Sequence, residues 1–475
     1  MSIRRAWSVM RVAVVGGGIT AFAAAHRLTE LVPEVALSLF ESSHRLGGVL
    51  ETTRRDGFLI EGGADNFITT VPWAVDLCRR IGFEDQLIQT NSGCRHAFVV
   101  RKGKLLPIPD GFVVMAPSKV WPMLTTPVLS PFGKLRLACE YLVPQRTVSE
   151  EESLASFVRR RFGRETYDRL VQPLVGGIYT GDADKLGLRS TMPRFAEMEA
   201  KHGSLIRALR SQPKSSERSG GARYSMFVAP RDGMSSLMEA IASKLPDGCI
   251  HFDALVERIV KAEGGWSLSF ASDIGCPSEF DAVVLATPAM PTAKLVASLD
   301  EDLARELKSI HHASCSIVSL GYARDQITHP LDGFGLIVPK IEQRKILSAS
   351  FSSIKYAGRA PDDHVLIRVF IGGDHQHELA SLPDDDLLAT ATTELRDLLG
   401  VKGDPMISNI SRRAAAMPQY YIGHADKISH IRDRLSHHPG LFLAGNAFDG
   451  VGLPHCIHSG EQAAEGLVKL YAKKN

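Results

Sequence analysis

The sequence predicts an α/β (α+β) protein in which a Rossmann-like dinucleotide-binding domain is built from both chain ends. A mixed-sheet substrate domain and a helical domain are inserted between them. Three observations carry that expectation. A buried-type strand, a glycine turn and an alanine-rich helix follow one another at 12–31. The next strand ends in an acid, Glu41. A strand, a glycine-rich turn and a long helix then recur at 441–470.

The elements follow in order. Val12-Ala13-Val14-Val15 is a continuous apolar run, as expected of a strand covered on both faces. Gly16-Gly17-Gly18 turns the chain, Ile19 to Leu31 forms a helix closed by Pro33, and Leu37 to Phe40 is the second strand. Residues 111–145 mix Pro, Met, Trp and Leu and read as broken helices with an apolar surface. Residues 151–170 predict one amphipathic helix, with Leu154, Phe157, Val158 and Phe162 on one side. The polar, breaker-rich run 211–223 reads as an exposed flexible loop.

Beyond it come a helix over 235–245, short strands at 250–252 and 256–260, and a strand over 281–286. Strand-like runs follow at 314–321, 334–338, 346–351 and 365–371. Strand 441–445 and a helix from Pro454 through Leu470 return to the opening style. The division expected is 9–75, 224–289 and 411–475 for the dinucleotide-binding domain, 76–110 and 290–410 for the substrate sheet, and 111–210 for the helical domain.

Composition narrows the function classes. The 475 residues are 44% hydrophobic and 23% charged, ordinary for a globular enzyme and unlike disordered or fibrous chains. Lys+Arg is 55 against Asp+Glu 53, a net charge of +2 that gives no reason to invoke nucleic acid. Seven scattered cysteines without a C-x-x-C pair fit a reduced compartment and no thiolate metal site. No targeting segment is evident, and no run reaches the roughly 18 apolar residues of a membrane span. The expectation is a cytoplasmic protein, at most peripheral at the inner face of the membrane.

Gly16-x-Gly18-x-x-Ala21 fits the dinucleotide fingerprint: a tight turn, a close pyrophosphate approach, and a small residue where helix packs on strand. The pyrophosphate would sit at the positive end of the helix Ile19–Leu31. Glu41 is placed for the ribose hydroxyls and disfavours a 2′-phosphate. In the run from Glu41 to Gly48, Arg45 can offer a cation to the pyrophosphate, and Gly47 and Gly48 let the chain pass close to a cofactor. Gly62 and Gly63 do the same near a ring system. A nicotinamide fold needs none of these loops; a bound flavin does. The turn Gly445 to Pro454 can present backbone N–H groups and a helix N-terminus to a ring that becomes anionic on reduction.

On these residues the chain resembles the flavin-dependent amine oxidase superfamily: VVGGGITAFAAA, ESSHRLGG and EGGADNF near one end, LAGNAFDGVGLPHCIHSGEQAA near the other. Within it, PLVGGIYTGDADKLGLRSTMPRF (173–195), DGFGLIVP (332–339) and MPQYYIGH (417–424) resemble the oxygen-dependent porphyrinogen oxidases of haem biosynthesis. The resemblance implies noncovalent FAD, oxidation of a porphyrinogen to a porphyrin, and dioxygen reduced to hydrogen peroxide. It puts FAD contacts on Gly16, Gly17, Gly18, Ile19, Thr20, Glu41, Ser42, Arg45, Gly47 and Gly48. Further contacts fall on Gly63, Ala64, Asp65 and Asn66, on Val256 at the adenine side, and on Gly445, Val451, Gly452 and Leu453. Gly177 corresponds to a backbone position close to substrate, and Leu336 and Ile337 to an apolar clamp around the macrocycle. No catalytic acid or base and no metal ligand is implied. Peripheral membrane contact through 111–145, a homodimer and hand-over of product to a ferrochelatase are compatible with it.

The resemblance departs at two places. Members acting on protoporphyrinogen IX often have an arginine where Ala97 stands, and Arg95 lies two residues earlier on the same strand face. Basic residues common in the coproporphyrinogen III type are replaced by Thr69 and Thr70. Coproporphyrinogen III is favoured on overall likeness, with protoporphyrinogen IX as the alternative. His455 stands where an acid is frequent; if protonated it would stabilise reduced flavin. With His458 it makes a poor metal site. Competing functions are another amine oxidase or desaturase of the superfamily, disfavoured by 173–195, and a redox-inactive flavin-fold carrier, disfavoured by the intact turn 445–454.

Overall fold

The computed structural model describes residues 9–94, 96–119, 121–146, 150–211, 226–273 and 275–474. A five-stranded parallel sheet forms the nucleotide side, in the order Ile250–His251, Ala36–Phe40, Arg11–Val15, Ala282–Leu285, Leu441–Leu443. Its strands are apolar along their length because both faces are covered. Val12, Val14, Leu37 and Leu39 enter one core with the helices Ile19–Leu31, Met234–Ala242 and Leu453–Lys474. Ala13, Val15, Phe40 and Val283 enter another, beneath the antiparallel ribbon of Val256–Ala262, Gly265–Phe270 and Glu279–Phe280. The helix near each end of the chain meets the other almost backbone to backbone: a Cβ at Gly460 would stand 2.2 Å from the Thr20 carbonyl oxygen.

A seven-stranded mixed sheet forms the second body, in the order Ile407–Pro418, His312–Ala323, His364–Gly372, Ser348–Phe351, Gly335–Ile337, Phe98–Arg101, Lys104–Pro107. Strand alternation gives it two unlike faces. Val318, Leu320, Leu336, Ala349, Ile367, Val369 and Ile371 pack into one apolar core with helix Asp384–Leu399. The opposite face carries Ile317, Ser319, Ile337, Ser348, Ser350, Arg368 and Phe370, of which Ile337, Ser348, Ser350 and Phe370 are only half-buried.

The third body is helical. The single helix expected over 151–170 is broken: Leu154–Phe162 ends at Gly163, whose φ is +87°, and a π-helical turn Tyr167–Val171 leads into helix Gln172–Tyr179. Glycine is required there, since a Cβ would meet Arg136 Cγ at 2.5 Å. Fully buried Arg161 pairs with Glu140 at 3.2 Å and Glu199 at 2.5 Å, and Glu140 also accepts from the Leu205 N–H. Residues 212–225, and with them most of the expected loop 211–223, lie outside the described residues.

Three expected boundaries move. Helix Trp73–Arg80 crosses from 75 into 76 and buries Ala74, Leu77 and Cys78 in the nucleotide-side core. Helices Ala289–Val296 and Glu301–Lys308 pack into the core on the other face of the parallel sheet, with Ala13, Val15 and Phe40, so the nucleotide side runs past the expected boundary at 290. Strand Ile407–Pro418 carries the mixed sheet past 410 by pairing with His312–Ala323. Its run SNISRRAAAM lacks an apolar alternation because both its faces are largely half-exposed.

Candidate active site

Backbone geometry builds the nucleotide side of the site. Gly16 holds φ +118° and donates to the Phe40 carbonyl at 2.8 Å; a Cβ would meet the Ala286 carbonyl oxygen at 2.9 Å. Nothing lies within 4 Å of where a Gly18 Cβ would stand, so the chain is open on that side. The helix starting at Ile19 and Thr20 has no side-chain cap, which leaves its first N–H groups for an anion. Glu41 is buried and accepts from Ser43 N–H at 2.7 Å, with Ser42 Oγ at 3.5 Å. Its Oε2 occupies the space that a Gly17 Cβ would need, 2.4 Å away. Val256 is buried close by, two residues after Ala254 donates to the Glu41 carbonyl at 2.9 Å.

The next two loops interlock with this turn. Gly47 donates to the Gly17 carbonyl at 2.8 Å, Gly48 approaches Gly18, and a Cβ on Gly63 would stand 2.0 Å from the Val49 carbonyl oxygen. Arg45, expected to offer a fixed cation to a pyrophosphate, is held by the loop it belongs to. It donates to the carbonyls of Leu46 and Leu50 at 3.1 Å and Gly48 at 2.6 Å, and stands 3.6 Å from Glu51. It braces the 46–50 loop.

Ala64, Asp65 and Asn66 follow Gly63, with Asn66 donating to Asp65. Burial pushes the Asp65 carboxyl up, but Lys355 at 3.5 Å and Arg368 at 3.3 Å outweigh it and hold its pKa below the ordinary value.

The third loop is held by a side chain. Tyr420 donates to the Asn446 carbonyl at 2.5 Å and accepts from Gly450 N–H at 2.8 Å, while Gly445 donates to Ser459 Oγ at 3.0 Å. The helix begins at Leu453, one residue before the expected Pro454, and the Gly452 carbonyl accepts its first N–H groups, from His455 and Cys456. Val451 packs against the helical body. Burial and the neighbouring His458 pull the His455 pKa down, so the protonated form considered from the sequence is disfavoured. His458 instead stacks on Trp73 at 4.0 Å, and no group of metal-ligating side chains occurs among the described residues.

On the substrate side, Gly177 is exposed on helix Gln172–Tyr179, and Ile337 lies on the half-open face of the mixed sheet. Leu336 does not join them. One residue away on the same strand, it points into the opposite apolar core at 1% exposure, as alternation requires. Arg95 lies outside the described residues.

Sequence reasoning passed over Phe370, Ser348, Ser350, Arg368 and Lys355. The available signal was Arg368 itself, one charge inside the otherwise apolar strand His364–Gly372.

Comparison with known proteins extends over nearly the whole chain. The flavin containing amine oxidoreductase family matches residues 22–468. Coproporphyrinogen III oxidase of Bacillus subtilis (strain 168) is 30% identical over 469 residues, covering 97% of this chain and 98% of the relative. Protoporphyrinogen oxidase 2 of Arabidopsis thaliana is 28% identical over 492 residues, covering 96% and 94%. A crystal structure from Exiguobacterium sp. 255-15, described as a candidate protoporphyrinogen oxidase, superposes with a TM-score of 0.85 at 30% identity over 97% of this chain and 99% of that one.

Proposed function

The chain belongs to the flavin containing amine oxidoreductases, and from that premise we propose that it is an FAD-dependent porphyrinogen oxidase of haem biosynthesis, with coproporphyrinogen III as the favoured substrate. FAD fits the residues present. Gly18 leaves an open approach, Gly16 and Gly63 have no room for a side chain, and the uncapped helix at Ile19 can receive a pyrophosphate. Bound there, FAD supplies hydride acceptance.

The observation that carries the reading is the juxtaposition of Gly63 with the mixed sheet. Arg368, on the half-open face beside Phe370, bonds the Gly63 carbonyl of the loop assigned to the flavin. A porphyrinogen bridge carbon is a good hydride donor because the adjoining pyrrole nitrogen stabilises the cation left behind. The protein then has to hold that carbon in place and exclude water. Ile337 and Phe370 offer an apolar floor, and no acid or base is required of the chain. Full conversion removes six electrons, and three dioxygen molecules would become three hydrogen peroxides.

Contact with a membrane belongs to the same reading. Trp121, Phe132, Leu135 and Leu142 are 74%, 84%, 63% and 82% exposed on one short stretch, an apolar patch suited to a lipid surface. Among the described residues no helix is long and apolar enough to cross a membrane. A homodimer and product hand-over to a ferrochelatase remain part of the proposal.

Initial rates on coproporphyrinogen III and protoporphyrinogen IX, followed under air by porphyrin fluorescence, test the function. Faster oxidation of the four-propionate substrate is expected, and failure of FAD-loaded protein to oxidise either would overturn the reading.

A further inference from the structure

Strand His364–Gly372 buries a single charge among apolar residues, and such a charge persists only when it is well paired. Arg368 lies on the half-open face, opposite Ser319 and Ser350, with its guanidinium carbon 5.4 Å from the centre of the Phe370 ring. Its side chain is 2% exposed, covered by the 62–66 loop. It donates to the Gly63 carbonyl and stands 3.3 Å from Asp65, while its Nε–H has no partner among the described residues. From strand Ile407–Pro418, Arg413 donates to the preceding Gly62 carbonyl at 2.8 Å. Two arginines of the substrate sheet therefore grip consecutive carbonyls of the loop assigned to the cofactor.

The charge balance around Arg368 is positive. Lys355 reaches Asp65 at 3.5 Å, and Arg359 is buried near both Asp65 and Glu61. Three cations thus face two acids; burial pushes both Glu61 and Lys355 towards their neutral forms, which leaves Arg368 and Arg359 against Asp65. Charge interactions are strong where water is excluded.

Resting on the FAD-dependent reading above, we propose that Arg368 is the fixed cation of the reacting centre, a positioning residue that sets the Gly63 backbone and favours negative charge on the flavin. A cation already in place stabilises added negative charge without reorganisation. Arginine also keeps its charge at every working pH, which the neutral His455 does not. The proposal concerns the poise of a two-electron couple and adds no step to the reaction.

The test is the midpoint potential of FAD in the loaded full chain, titrated against a redox dye, for the parent, Arg368→Met, Arg368→Lys and Asp65→Asn. Arg368→Met should shift the couple at least tenfold towards the oxidised form, equivalent to about 30 mV for two electrons. Arg368→Lys should recover most of that shift. Asp65→Asn removes the opposing charge and should move the potential upwards, a reversal that loss of packing would not produce. Equal potentials in the parent and Arg368→Met, or a fall in Asp65→Asn, would overturn the proposal. Should Arg368→Met not retain FAD, the sign of the Asp65→Asn shift decides alone. An unchanged potential with porphyrinogen oxidation intact sinks this inference only; the expected shifts with neither porphyrinogen oxidised sink the substrate assignment only.

Discussion

Around the nucleotide turns the groups available to a ligand are mostly backbone groups, and the side chains there are absent or turned inward. Gly16, Gly17, Gly47 and Gly63 each sit where a Cβ would meet a neighbour within 2.9 Å, while Arg45 is spent on loop carbonyls. Across the site, on the mixed sheet, the groups available are side chains: Ile337, Ser348, Ser350 and Phe370 line one half-open face, whereas Leu336, Ala349, Phe351, Val369 and Ile371 beside them are buried. A cofactor common to a whole family can be held by main chain and glycine. A substrate that distinguishes family members is met by side chains that can vary without disturbing the ladder beneath them.

The sharpest way to break this contrast is to cross the sheet from one face to the other. Ile367→Ala, on the buried face, should cost about 2–5 kcal/mol of stability. Ser350→Ala, opposite Arg368 on the open face, should stay within about 0.5 kcal/mol and alter KM for the porphyrinogen instead. Urea unfolding with steady-state kinetics reads both, and equal destabilisation would erase the distinction between faces.

A second probe addresses the nucleotide turn that Tyr420 holds. His424 stacks on Tyr420 at 4.0 Å, and burial pulls its pKa from 6.5 to about 4. The unfolded chain therefore binds the proton first, so this site removes stability as pH falls from about 6.5 to about 4, then no more. At 1.36 kcal/mol per unit the loss is about 3 kcal/mol at most. Urea midpoints across that range should fall less steeply in His424→Phe than in the parent.

Third in size is Gly63→Val. Its new side chain overlaps the Val49 carbonyl, a strain of about 1–3 kcal/mol that should weaken FAD binding about ten- to hundredfold. The ratio of flavin to protein absorbance after dialysis measures it, and full retention of FAD would mean that the loop is not part of the cradle. Smallest is Tyr420→Phe, which deletes the hydroxyl between Asn446 and Gly450 for about 0.5–1.5 kcal/mol. A modest loss of FAD affinity with unchanged KM is expected; an unchanged affinity would show that the turn holds itself.

The same contrast explains what could be read without coordinates. Glycines forced by positive φ or by close backbone approach leave a mark at a fixed place in the chain, so the turns at 16–18, 47–48, 62–63 and 445–452 stood out. The open face of the sheet is assembled from residues 317, 319, 337, 348, 350, 368 and 370, and no local pattern announces that these share a side. Leu336 and Ile337 show the difficulty: both are apolar and adjacent, and only the pairing of Ile337 with Ser348 and Val99 decides which one faces the site. Helix breaks such as Gly163, and the half-exposed strand 407–418, are likewise set by tertiary neighbours.

The order of strands in the parallel sheet has a consequence in time. Leu441–Leu443 closes one edge, and the helix beginning at Leu453 seats Gly460 against Thr20, which lies in the first turn of the helix after the glycine fingerprint. A nascent chain arrested between residues 285 and 441 would hold the fingerprint and four of the five strands, yet lack the edge strand and the helix that packs on Thr20. The face of helix Ile19–Leu31 around Thr20 and Ala24 would stay uncovered until helix Leu453–Lys474 arrived. Such long-range closure is slow and exposes the chain to aggregation while it waits. Cofactor capture would therefore wait until helix Leu453–Lys474 is seated on Thr20.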